Sequence, residues 1–205
     1  MKKILVIANG EPPSAELVHS LLQSHSQMVA VDGGLYACLN AHLEPDLIIG
    51  DFDSISAEER RRFSHIPQIE LADQYKSDLE KTLEYLFNLG PCEITVCGAL
   101  GRRLDHTLTN TLLLCRYPEK VKFETQRELC FALSHNSTLF CQKGQTLSLI
   151  PLSTTVEGIT TQGLQWELNG ALLNKHFIGI SNICTASSVS ISFTQGDLIV
   201  SLLKI

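Results

Sequence analysis

The chain opens with an apolar run, Ile4 to Ala8 within KILVIANG, that reads as a buried strand ending in a turn. SAELVHSLLQSH follows with Leu17, Val18, Leu21 and Leu22 on one helical face. MVAVDGG predicts a second strand, LYACLNAH a short helix and DLIIGDFDS a third strand. Ser56 and Glu59 stand in capping-box spacing at the start of the next helix, and Ser77 and Glu80 repeat it further on. Between them lies the short run QIELAD; the helix after Ser77 carries Leu79, Leu83, Leu86 and Phe87 on one face and ends at Gly90-Pro91. EITVCGAL is a fifth β-rich run, and LDHTLTNTLLLCRY is helical. Such alternation predicts a mainly parallel sheet with flanking helices.

From about residue 135 the period changes. QTLSLIPL, GLQWELNG, SVSISF and DLIVSLL alternate with period two between Gly, Asn and Ser turns. Antiparallel strands packed as a β-sandwich, or as a small barrel, account for this pattern. The fold expected is therefore α/β over residues 1–130, followed by an antiparallel β-sandwich over 131–205.

Composition narrows the function. The chain has 205 residues, 44% hydrophobic and 19% charged, with a formal net charge of −6, so it is globular and ill suited to nucleic acid or an anionic membrane surface. Seven cysteines without a CxxC pair read as reduced thiols. The first apolar run is too short for a signal peptide, and no apolar stretch is long enough to span a bilayer; a cytoplasmic location is expected.

In a doubly wound sheet, ligands collect at the carboxyl ends of the strands. The polar clusters NGEPPS, DGG, GDFDS, DQYKSD and GALGRRLDH all fall at such ends. Asp51 and Asp53 lie two apart, so extended geometry would put both carboxylates on one face. Paired carboxylates beside a phosphate site suit Mg²⁺. Asp78 is placed to add a third oxygen, and Asp32 to join or support them. Turn and helix-end roles fit each of these acids singly as well. Lys76 offers a point charge and Arg103 a bidentate fork for phosphate, or both are solvated surface charges. Gly33-Gly34, Gly98 and Gly101 would let backbone N–H groups approach an anion. Neither a P-loop nor a GxGxxG fingerprint is present.

Taken in order, DGG (32–34), GDFDS (50–54), DQYKSDLEK (73–81), GALGRRLDHTLTN (98–110), SLIPL (148–152), GLQWEL (163–168) and ISN (180–182) resemble the thiamine pyrophosphokinases. The resemblance spans nearly the whole chain. It implies an α/β domain that binds ATP and Mg²⁺, a β-sandwich that helps bind thiamine, and a homodimer with sites at the subunit interface. Metal binding falls on Asp51, Asp53 and Asp78, with Asp32 close by. Gln74, Lys76, Arg103, Asp105 and His106 fall on ATP-site motifs, and Gly33, Gly98 and Gly101 on the loops around them. Ser181, Asn182 and Trp166 fall on the thiamine side. For Trp166, packing in the core with Leu164 and Leu168 is the competing role; for Asp105 and His106 it is orienting a loop and capping a helix.

The reaction implied is ATP + thiamine → AMP + thiamine diphosphate. A related transferase acting on another heterocyclic alcohol and a non-catalytic nucleotide sensor are the alternatives. Two departures from the family pattern stand out. Arg102 occupies a position that is usually glycine, and Ile183-Cys184 follow ISN where many relatives carry an acid.

Overall fold

The computed structural model describes all of residues 1–205, which divide into two compact units, Met1–Leu113 with Phe123–Gln126, and Leu114–Lys122 with Arg127–Ile205. The chain thus passes between the units more than once rather than at a single point near residue 130.

In chain order the first unit holds β1 (Lys2–Ile7), α1 (Ala15–Leu22), β2 (Gln27–Val31), α2 (Gly34–Asn40), β3 (Leu47–Gly50), α3 (Ala57–Arg62), β4 (Gln68–Glu70), α4 (Asp78–Asn88) and β5 (Cys92–Cys97). Next come α5 (Leu104–Arg116) and β6 (Val121–Glu124), each with residues in both units. All five strands β1–β5 are parallel, in the spatial order β5-β1-β2-β3-β4. Strands covered on both faces need near-continuous apolar sequence, and Ile4–Ile7 of β1 are all buried. Leu5, Ile7, Met28, Ala30 and Ile48 form a core with Val18 of α1 and with Leu35 and Cys38 of α2. Buried Leu79, Leu83 and Leu86 of α4 lie outside that cluster, where α4 packs on β2 and β3.

Local chemistry sets the helix starts. Ser14 and Ser77 accept backbone N–H groups three residues on, and Ser56 and Glu59 make the full reciprocal capping box. These starts matter because each follows a strand-end loop, so the caps fix where the loops end.

The second unit holds β7 (Glu128–Leu133), β8 (Ser137–Phe140), β9 (Thr146–Pro151), β10 (Thr155–Gln162), β11 (Ala171–Asn174), β12 (Gly179–Ile183), β13 (Ser188–Ser192) and β14 (Leu198–Leu203). Two antiparallel layers, β12-β9-β14-β7 and β11-β10-β13-β8, share a core that includes Leu147, Leu149, Ile159, Leu173, Val189 and Val200. An antiparallel sandwich therefore follows the parallel sheet, as expected.

The strand expected at GLQWELNG is absent. Residues 163–170 form a connection between β10 and β11 whose one ladder contact is a bridge from Leu164 to Cys184. Gly163 and Gly170 bracket it with left-handed φ of 87° and 62°, which turns the chain out of the sheet at both ends. The strand lies just upstream instead, in β10, where Gly158 sits in a register shift between Val156 and Ile159. A glycine bulge inside a threonine-rich strand conceals its periodicity.

Candidate functional site

Loops at the carboxyl ends of β1, β2, β3 and β5 converge with the start of α4 on a cavity of about 340 Å³. Asn9 and Gly10 come from the β1 end, Asp32 from the β2 end, and Asp53 and Ser54 from the β3 end. Ser77 and Asp78 open α4, while Gly98, Gly101, Arg102 and Arg103 follow β5 and His106 and Asn110 project from α5. Gln74 and Lys76, from the loop after β4, are not among the lining residues.

Asp32, Asp51 and Asp53 each bring one carboxylate oxygen to within 4.8 Å of the others. The expected extended geometry of Asp51 and Asp53 is not how they meet. Phe52 between them has φ 63°, and the Asp53 N–H donates to Asp51 Oδ1 at 3.2 Å, so a tight turn draws the two acids together. The buried Phe52 ring holds this turn, with the Arg60 guanidinium 4.0 Å above its centre. Tyr36 steadies the same loop, donating to Glu59 at 2.6 Å and toward the Ser54 carbonyl at 3.3 Å.

Asp32 is only 4% exposed, with left-handed φ of 44° and an Oδ1 that has no hydrogen-bond partner. Burial raises its pKa above the ordinary carboxylate value, with Asp53 and Asp78 adding to the rise and Ser54 and the Gly33 N–H opposing it. A buried carboxylate oxygen without a partner, beside two further carboxylates, is a donor set for a hard cation. The donor atoms on offer are all oxygen, a set that would suit Mg²⁺ and not a thiolate- or imidazole-seeking metal.

Asp78, expected as the third ligand, is not in the converging trio. It lies beside Lys81, whose Nζ is 2.8 Å from Asp78 Oδ1, an ion-pair distance with the geometry off-line for a hydrogen bond. Lys81 is 5% exposed, donates to the Leu71 carbonyl at 2.9 Å and lies 3.8 Å from Asp51 Oδ2. It is a counter-charge buried against the acids, and sequence reasoning passed over it. The signal was there in its i,i+3 spacing from Asp78.

The cations expected to meet phosphates are also engaged. Lys76 pairs with Glu84 at 2.6 Å, away from the cavity, and Glu84 raises its pKa. Arg103 donates twice to Asp105, at 3.1 and 2.5 Å, and this pairing lowers the Asp105 carboxyl to about 2. Gln74 is exposed.

The β5–α5 loop is tightly built. A Cβ on Gly98, with φ 71°, would overlap the Ala8 carbonyl oxygen. Thr107 Oγ1 accepts the Gly101 N–H at 3.1 Å and donates to the Arg103 carbonyl at 3.0 Å. Buried Asn110, also passed over, ties Ala99 to α5 through Nδ2 at 2.6 Å. Arg102 in this loop adopts a left-handed φ of 58°.

On the second unit, Trp166 is 56% exposed rather than packed in the core with Leu164. Asn182 holds its backbone on both sides. Ser181 has φ 58°, and its N–H donates to Ser148 Oγ at 2.9 Å.

An α/β unit with an acid-lined cavity at the ends of its parallel strands, followed in sequence by an antiparallel sandwich, defines the class. Residues 18–126 match the family model of the thiamin pyrophosphokinase catalytic domain, and residues 134–198 that of the thiamin pyrophosphokinase vitamin B1 binding domain. The chain belongs to the thiamin pyrophosphokinase family of enzymes. It is 28% identical to thiamine pyrophosphokinase of Bacillus subtilis over 97% of each chain. With thiamine pyrophosphokinase 1 of Oryza sativa subsp. japonica it shares 31% identity over 76% of this chain and 65% of that protein. The crystal structure of thiamine pyrophosphokinase from Bacillus subtilis superposes with a TM-score of 0.87 at 25% identity, covering 99% of each chain.

Proposed function

We propose that this enzyme transfers the pyrophosphoryl group of ATP to the hydroxyl of thiamine, giving thiamine diphosphate and AMP. The observation that carries the reading is the convergence of Asp32, Asp51 and Asp53 on one end of a parallel sheet, with Asp32 and Asp53 lining a cavity that also presents arginines and glycine-loop backbone. Asp32, Asp51 and Asp53 would hold Mg²⁺, with Asp78 beside them. When bound, the metal neutralises charge on the phosphate oxygens.

The chain's own residues bind and orient. Backbone N–H groups of the β5–α5 loop meet the polyphosphate, and Asn110 keeps that loop against α5. The thiamine oxygen forms a bond to the β-phosphorus as the bond from that phosphorus to the α-phosphate oxygen breaks. A carboxylate of the cluster takes the hydroxyl proton. Trp166, exposed and aromatic, is suited to lie against a flat cation, with Ser181 and Asn182 shaping the segment beside it.

The same reading takes the enzyme to be a cytoplasmic homodimer with sites at the subunit interface. Exposed Phe177, Ile178 and Ile180 on the second unit support association, and no helix is long and apolar enough to cross a membrane. Sedimentation of the purified chain tests the dimer.

Product analysis tests the reaction: ATP, Mg²⁺ and thiamine should yield AMP in step with thiamine diphosphate, and only with metal. ADP with thiamine monophosphate would overturn the pyrophosphoryl reading.

A further inference from the structure

Of the two arginines that line the cavity, Arg103 is committed to Asp105, and Lys76 outside it to Glu84. Arg102 differs. Its Nη1 donates to the Asn9 carbonyl at 3.3 Å and to Asn9 Oδ1 at 3.2 Å, both neutral acceptors and both long. A guanidinium held by neutral groups keeps its charge available to an incoming anion.

The backbone carries a second, independent sign. Arg102 has φ 58°, a left-handed conformation that residues with a Cβ adopt at a cost and that glycine adopts freely. Directly before it, Gly101 has φ 82°, so the loop turns through two consecutive left-handed residues and throws the Arg102 side chain back across the β1 end. A strained residue at a site rim points to use of its side chain.

We propose that Arg102 is the polyphosphate-contacting cation of this cavity, exchanging its weak bonds to Asn9 for charge-assisted bonds to phosphate oxygens. The inference deepens the proposed function and rests on it for the identity of the nucleotide, while its chemical claim is about a polyphosphate. Asn9 then acts as the resting partner that keeps the guanidinium from solvent-driven wandering before the anion arrives.

The test measures calorimetric binding of tripolyphosphate and of ATP, each with excess Mg²⁺, to the full chain as wild type, Arg102→Gly, Arg102→Asn and Arg102→Lys, with thermal unfolding alongside. Gly and Asn both tolerate the left-handed backbone and remove the charge, so one serves if the other fails to fold. Both neutral variants are expected to melt no lower than wild type and to bind both ligands about tenfold more weakly, a loss equivalent to about 1.4 kcal/mol. Arg102→Lys keeps part of the affinity.

Equal ATP affinity in wild type and the neutral variants would overturn the inference and leave the proposed function standing. Tripolyphosphate bound through Arg102 without any ATP binding would sustain the inference and overturn the ATP reading. Folded wild type that binds neither ligand would overturn both. Unchanged affinities with a melting temperature several degrees lower would assign Arg102 to loop structure and overturn the inference.

Discussion

Asn182 brackets the backbone of Trp166. Its Oδ1 accepts the Trp166 N–H at 3.1 Å and its Nδ2 donates to the Trp166 carbonyl at 2.6 Å, so one side chain substitutes for a missing strand neighbour. The same Oδ1 also accepts the Ile183 N–H at 2.9 Å. This clamp explains how an exposed tryptophan in a connection without regular structure keeps a defined position.

Asn182→Ala should therefore release the 163–170 connection. Loss of these bonds at a part-exposed site costs about 1–2 kcal/mol. Trp166 is the sole tryptophan, so its fluorescence reports the change directly: a red-shifted, less anisotropic emission is expected. The proposed thiamine role adds a raised KM for thiamine with kcat less affected. Unchanged emission would remove the clamp from the account.

Lys81→Met should be the most damaging single change in the first unit outside its apolar core. It leaves Asp78 and Asp51 without their nearest cation, and those side chains are 30% and 20% exposed. Removing one partner of a largely buried pair costs roughly 3 kcal/mol. Urea unfolding of the metal-free protein measures it, and Lys81→Arg, which keeps the charge, should recover part of the loss.

Asp53→Asn separates stability from chemistry. Asp53 is exposed and its carboxylate accepts only from the neighbouring Ser54 hydroxyl, at 3.0 Å, so metal-free stability should move by less than about 0.5 kcal/mol. Turnover should fall roughly a hundredfold or more, the effect of removing one group that stabilises transition-state charge. Steady-state rates against Mg²⁺ concentration, with melting curves as control, decide it.

Asp32 gives a pH dependence of defined sign. Burial raises its folded pKa above the unfolded value of 3.8, so ionised Asp32 weakens the fold. The penalty is complete above the folded pKa and disappears as pH falls below 3.8. Asp32→Asn should accordingly stabilise the metal-free protein at neutral pH, with the advantage fading in acid. Added Mg²⁺ should then stabilise wild type more than the variant. Unfolding titrations at the two pH extremes, with and without metal, check each arm.

Much of this molecule was legible along the chain because its causes are local. Buried parallel strands need unbroken apolar runs, so β1, β3 and β5 announce themselves. Ser56 with Glu59, and Ser77, mark helix starts because a cap is made within four residues. The sandwich was legible only in its regular strands. β10 hid behind Gly158, and GLQWELNG imitated a strand because alternation does not reveal that glycines at both ends have turned the chain away.

The sequence by itself determined the order of strands and helices from β1 to α5, the change from parallel to antiparallel texture, and the placing of acids and glycines at strand ends. Tertiary structure decided which of those groups meet. Asp32 joins Asp51 and Asp53 because β2 and β3 pair side by side and Phe52 turns left-handed, and neither fact is written in residue spacing. Lys81 rather than Lys76 reaches the acids, since the register of α4 buries one lysine and leaves the other to Glu84. Arg102 keeps neutral company while Arg103 takes Asp105, in a loop that turns left-handed at both Gly101 and Arg102. Charge pairing depends on distances across the fold, and a few ångströms separate a ligand from a counter-ion.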